Sequence, residues 1–128
     1  MGPAATVQRL LELWAAGRID DGRDFLDAEI EWHEPPETIG RNETTGPDGA
    51  LAGLDNWNAQ FDSLRVETIE MREEDDRVLH ALNQFAKARG SEAEIQGELY
   101  MVWWFRDGKA VRMEMYNTRE QAEEAFAR

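Results

Sequence analysis

Apolar residues recur at helical spacing near the start of the chain, at Val7, Leu10, Leu11 and Trp14, and Gly17 stands where a left-handed residue would end the helix. This pattern predicts an amphipathic helix. A short second helix is expected over Ile19 to Leu26, with Asp20 and Asp21 able to cap its start and Phe25 and Leu26 forming an apolar edge. Ile30 and Trp32 then alternate with Glu31 and His33, as in a half-buried strand, until Pro35-Pro36 removes two backbone donors and stops it. Such a strand delivers Trp32, His33 and Glu34 to a rim. From Glu37 to Pro47 the residues are mostly small, polar or charged and read as a loop long enough to act as a lid. Pro47 suits the first turn of a third helix, with Leu51, Leu54, Trp57 or Asn58, and Phe61 on one side. Gly49 and Gly53 weaken its intrinsic propensity, so tertiary packing must hold it.

Period-two patterning takes over in the second half, predicting strands over Leu64 to Arg72, Arg77 to Lys87, Glu92 to Phe105 and Lys109 to Tyr116. The separators Glu73-Glu74-Asp75-Asp76, Gly90-Ser91 and Asp107-Gly108 are expected to be hairpin turns, Asp-Gly being the strongest signal among them. A four-stranded antiparallel meander follows from this spacing. Its two middle strands exceed the usual length and are expected to bend or bulge, giving a concave face that helices can cover. Thr118 and Gln121 form a capping box that opens a last helix carrying Ala122, Ala125 and Phe126. The fold class is α+β.

Composition narrows the function. At 128 residues the chain has room for one domain, 1–128, and a balance of 41% hydrophobic and 32% charged residues is globular. No apolar run approaches the roughly 18 residues of a membrane span, so no membrane partner is expected. The start, MGPAATVQRL, lacks a basic segment followed by an apolar one, and a cytoplasmic location is the default. Without cysteine there is no disulfide, thiolate metal site or cysteine nucleophile. A net charge of −13 opposes nucleic acid and anionic membranes as partners.

Two or three helices, a strand ending in an acidic-proline step, another helix and four long strands: this order resembles the nuclear transport factor two-like superfamily over nearly the whole chain. Within it, the run from Phe25 through Trp32-His33-Glu34-Pro35, Gly46 opening the third helix, Trp103 to Lys109 and Arg112 to Arg119 are similar to the SnoaL-like proteins. The resemblance implies a cone-shaped, strongly curved, mainly antiparallel sheet packed against three helices from the N-terminal half, with a short C-terminal helix. It implies a pocket for a small apolar molecule and no cofactor. It also places Met101, Trp103, Met113, Met115 and Asn117 on the pocket side. Trp14, Trp32, Trp57 and Phe61 are the aromatic residues expected to complete the wall. The superfamily includes ketosteroid isomerase, polyketide cyclases, limonene epoxide hydrolase, scytalone dehydratase and members that bind without catalysis, so fold alone does not assign an activity.

Glu34 occupies the position that resembles the Asp-Pro step carrying the general base of ketosteroid isomerase. A rim carboxylate moves protons at a carbon next to a carbonyl if burial raises its pKa toward neutrality; otherwise it is a solvated strand end. The isomerase's two oxyanion donors fall at Leu10 and Met101, both apolar, which disfavours steroid isomerisation. His80 is the other acid/base candidate, set against the reading of a hydrogen-bonded core histidine. His33 alternates away from Trp32 and Glu34 and is expected outside the pocket. Two histidines among scattered carboxylates lack metal-ligand spacing, so no metal is expected.

Met101, Trp103 and Phe105 share one strand face while Tyr100, Val102 and Trp104 share the other, and both are apolar. The first set either lines a cavity or fills the core completely. The second, with Tyr116, is expected to be left bare by the helices and covered by a second copy in a homodimer. Three functions stay open: a cyclase, isomerase or hydratase using Glu34, a non-catalytic binder of the same fold, and a dimeric interaction module.

Overall fold

The chain is described by a computed structural model over residues 1–38 and 43–128. Helix α1 (Pro3–Ala15) buries Val7, Leu10, Leu11, Leu13 and Trp14 and ends before Gly17, whose φ of 72° costs glycine little. A 3₁₀ helix spans Ile19–Phe25, but neither aspartate caps it; Asp21 instead accepts a hydrogen bond from Arg18 Nε at 2.8 Å. Strand β1 (Leu26–His33) follows. The stretch expected to be a loop contains a short strand, β2 (Glu43–Thr45), paired antiparallel with β1 from Glu31–Thr45 to His33–Glu43. Residues 39–42 of the expected lid lie outside the described residues.

Helix α2 (Pro47–Asn58) buries Ala50, Leu51 and Leu54, and Phe61, expected on its apolar side, opens the next strand instead. Its two glycines are explained by space. A Cβ on Gly49 would stand 2.5 Å from Thr44 Cβ, and one on Gly53 would stand 3.0 Å from Trp32 Nε1. Close approach of α2 to β1 and β2 thus requires residues that weaken the helix in isolation. Gly49→Ala is therefore expected to lower stability by about 1–3 kcal/mol, despite the roughly 1 kcal/mol that alanine contributes in an unhindered helix. Urea unfolding measures it, and a stabilised variant would contradict the packing argument.

The meander consists of β3 (Phe61–Glu74), β4 (Arg77–Ala88), β5 (Glu94–Arg106) and β6 (Lys109–Tyr116). Asp107 and Gly108, at φ 53° and 80°, make the β5–β6 turn with two left-handed residues, as an Asp-Gly hairpin demands. The sheet runs β2-β1-β6-β5-β4-β3, with β1 parallel to β6 and every other pair antiparallel. Register shifts interrupt β3 against β4 at Phe61/Ser63 and Thr68/Glu70, and β5 against β6 at Trp104/Phe105. A further shift separates Leu26 and Glu31 of β1 against β6, whereas β4 and β5 pair without interruption from Arg77–Trp104 to Lys87–Glu94.

Register identifies the two faces, because residues directly opposite on neighbouring strands point the same way. One row runs Val78, Trp103, Met113, Trp32 and a second Met71, His80, Met101, Met115. With α1, the 3₁₀ helix and α2, most of these residues form the main core. The opposite face carries Leu79, Ala81, Tyr100 and Val102.

Here the structure corrects the expectation of a bare outer face. Helix α3 (Arg119–Ala127) lies on it, burying Ala122, Ala125 and Phe126 against those four residues. Tyr100 and Val102 retain 3% and 0% exposure, and Trp104 and Tyr116 are half-buried beside them. The shielding assigned to a second copy is supplied within the chain, so the homodimer loses its main argument. Thr118 Oγ1 accepts from Gln121 N as the capping box requires, but the Gln121 side chain turns away and donates to Glu37 Oε2 at 3.0 Å. No helix among the described residues is long and apolar enough to cross a membrane.

Candidate functional site

Where β1 ends and α2 closes on the concave face, a cleft of about 340 Å³ remains. Its wall is Trp14 from α1, Trp32 from β1, Leu54 and Trp57 from α2, Leu99 and Met101 from β5 and Met115 from β6. Glu34, Pro35 and Thr38 belong to its rim, with Gly53, Asn56 and Gln60 on the helix side. The size falls within the range of small-molecule pockets. Trp57 is held in place by its indole, which donates to Gln84 Oε1 at 2.8 Å, and by an edge-on contact with Phe61 at 5.5 Å between centroids. Trp32 meets Trp103 edge-on at 5.9 Å.

Deeper, a void of only about 20 Å³ separates Leu10, Leu11, Trp14, Met101, Trp103 and their neighbours. Trp14 Nε1 and Trp103 Nε1 are buried without an acceptor. An unpaired buried donor costs about 1–3 kcal/mol, and such groups ask for an explanation.

The residues singled out from sequence separate into two groups. Glu34, Trp14, Trp32, Trp57, Met101 and Met115 come together at the cleft. Trp103 lies one layer down at the void, and Met113 is fully buried in the core. Phe61 instead lines a separate surface groove running to Val66. Asn117 is exposed, and its Nδ2 donates to Glu37 Oε1 at 3.2 Å. That bond and the one from Gln121 tie down the segment that carries Pro35 and Thr38.

His80 shares the inner face but does not line the cleft. It is fully buried, its Nε2 lies 2.9 Å from Thr68 Oγ1, and its Nδ1 has no partner. Desolvation pushes its pKa down to about 4, so it is neutral at pH 7. The core-histidine reading describes its surroundings. His33 lies on the other face, with Glu31 at 3.4 Å and Glu43 at 3.5 Å.

Sequence reasoning passed over Leu99, Gln60, Asn56 and Gln84. Alternation alone could have found Leu99, two residues before Met101 on the same face. The polar residues carry no pattern that marks them.

Comparison with known proteins bears on the fold and the family. TerC co-crystallised with polyporic acid superimposes with a TM-score of 0.79 at 20% identity, covering 99% of this chain and 100% of that one. A candidate SnoaL-like polyketide cyclase from Jannaschia sp. CCS1 gives 0.78 at 16% identity, over 96% and 90% of the two chains. A protein of ketosteroid isomerase-like fold from Catenulispora acidiphila DSM 44928, in complex with trimethylamine, gives 0.77 at 11% identity, over 93% and 88%. A comparison with curated proteins finds no match. The α+β, nuclear transport factor two-like architecture is common to these structures, and the sequence model of the SnoaL-like domain matches residues 7–113, most of the chain, which places this protein in the SnoaL-like family.

Proposed function

We propose that the cleft binds a small, mainly apolar molecule of polyketide, steroid or terpenoid type, and that Glu34 serves as general acid or base in its cyclisation, isomerisation or hydration without a cofactor. The observation that carries this reading is the meeting of one carboxylate with three tryptophans and two methionines around a space of about 340 Å³. Indole and thioether walls take up irregular apolar bodies. The polyketide-cyclase neighbour and the polyporic acid bound by TerC lend the substrate class support by analogy.

Screening such compounds for turnover, then repeating the assay with Glu34→Gln, tests the proposal. The variant is expected to fold normally and lose about 100-fold or more in turnover. Equal turnover would remove Glu34 from the mechanism.

A second reading, binding without catalysis, is favoured by the absence of a second ionisable side chain among the described residues lining the cleft, since His80 is sealed in the core. Self-association through the outer face would use what α3 leaves of it, the half-buried Trp104 and Tyr116. Light scattering of the parent and of Trp104→Glu decides it: a dimer that becomes monomeric supports the interface, and a monomeric parent dismisses it.

A further inference from the structure

We infer that Trp57, held by Gln84, is a partition that sets the length of ligand the cleft accepts, so that the site takes compact apolar bodies and turns away chain-bearing ones. This deepens the reading above and rests on the cleft being a small-molecule site. Trp57 lies in the last turn of α2, where its carbonyl accepts from Gln60 N at 3.2 Å just before the chain enters β3 at Phe61. Its ring lines the cleft of about 340 Å³ and meets Phe61 edge-on at 5.5 Å between centroids. Phe61 belongs to the wall of the neighbouring groove, a space of about 480 Å³. Trp14 borders both spaces.

Cleft and groove are stretches of one concave face. Alternation from His80 through Leu82 puts Gln84 and Ala86 on the inner side of β4, and register sets Val66 opposite Gln84 and Leu64 opposite Ala86. Leu64 and Val66 line the groove, whereas Leu99, opposite Leu82, lines the cleft. The boundary therefore falls at the row of Gln84, and the indole stands there: Trp57 Nε1 donates to Gln84 Oε1 at 2.8 Å. On its other side Gln84 faces Gly97, where a Cβ would meet no atom within 4 Å. A carboxamide between Val66 and Gly97 occupies a row where packing alone favours an apolar side chain, and the bond to the indole accounts for it. A ligand that extends from the cleft along the sheet meets this ring before it reaches Val66 and Leu64. Without the acceptor the half-buried indole loses its hydrogen bond, and the ring is no longer held across the face.

The test measures binding of a series of 4-alkylphenols, from 4-ethylphenol to 4-hexylphenol, by calorimetry on the parent, Trp57→Ala and Gln84→Leu. Each methylene that becomes buried raises affinity by roughly threefold. In the parent this gain is expected to stop or reverse within the series, where the chain reaches the indole. In Trp57→Ala it should continue to 4-hexylphenol, which then binds at least about tenfold more tightly than to the parent. Gln84→Leu, similar in size but without an acceptor, should move the break to a longer chain. Labelling with 5-fluorotryptophan follows the ring itself: the fluorine resonance that Trp57→Phe removes should shift in Gln84→Leu while the signals of the other tryptophans stay in place.

A parent whose affinity climbs to 4-hexylphenol with the slope of Trp57→Ala overturns the inference and leaves the small-molecule reading standing, as does a Trp57→Ala series that breaks at the parent's chain length. If Trp57→Ala does not melt cooperatively, Gln84→Leu decides alone: a break at the parent's chain length, or an unmoved fluorine resonance, overturns the partition. Failure of every alkylphenol, 4-ethylphenol included, to bind the parent overturns both the inference and the small-molecule reading beneath it.

Discussion

Phe126→Ala is expected to lower the unfolding free energy by about 3–5 kcal/mol, the range for emptying a fully packed aromatic site. Phe126 retains 5% exposure and is the largest apolar side chain that α3 places against Leu79, Ala81, Tyr100 and Val102. The helix is nine residues long, too short to persist alone in water, so its docking depends on this contact. Arg72 and Arg119 reinforce it from the rim, joining Glu123 of the helix to Glu70 of β3. These are partly exposed ion pairs and contribute less than the buried ring. Loss of the contact would uncover Tyr100 and Val102, so the variant should also bind a hydrophobic dye and self-associate on mild heating. Denaturant titration reads the first effect and light scattering the second. A variant within about 1 kcal/mol of the parent would mean that α3 contributes little to the sheet.

His80 is expected to make the fold sensitive to acid well above the carboxylate range. Its pKa is about 4 in the folded chain and 6.5 without burial, so between these values the unfolded chain holds a proton that the folded one does not. Stability therefore rises with pH across the window and is lost as pH falls from about 6.5 towards 4, by about 3 kcal/mol in all. The other shifted acids act lower down. Hydrogen bonds from Arg119 and Arg72 hold Glu70 below the ordinary carboxylate range, and Arg72 does the same for Glu123. Burial pushes Glu114 up, but Tyr116 and Arg112 together outweigh it and leave its pKa lowered. Each of these contributes stability that is present above about 4.5 and lost below it. Urea unfolding at pH 7 and pH 5 should thus isolate the histidine: the parent weakens by about 2 kcal/mol, and His80→Phe, similar in size and unable to titrate, stays nearly level. Equal slopes for the two proteins would show that His80 reaches a proton without cost.

Much of this architecture is legible in the chain because it is written locally. Helical spacing at Val7, Leu10, Leu11 and Trp14, the Asp107-Gly108 turn and the alternation through Met101, Val102 and Trp103 each describe one element and its faces, and the structure has them where the pattern puts them. The acidic-proline step likewise marked the rim where Glu34 meets the cleft.

Local pattern cannot say what lies opposite. The three residues of β2 have no alternation of their own and are held by backbone bonds to β1, so they read as loop. Gly49 and Gly53 weaken α2 in isolation, and only its packing against Thr44 and Trp32 explains them. Both faces of β5 are apolar, and the chain alone left open which cover each receives; the fold placed α1 and α2 on one and α3 on the other. The same limit explains His80, weighed as an acid or base against a core histidine, which pairs with Met101 on the inner face but is sealed from the cleft by packing. Periodicity records that a side chain is turned away from water. Whether it meets a cavity, a helix or another strand depends on contacts between residues far apart in sequence, and those exist only once the chain has folded.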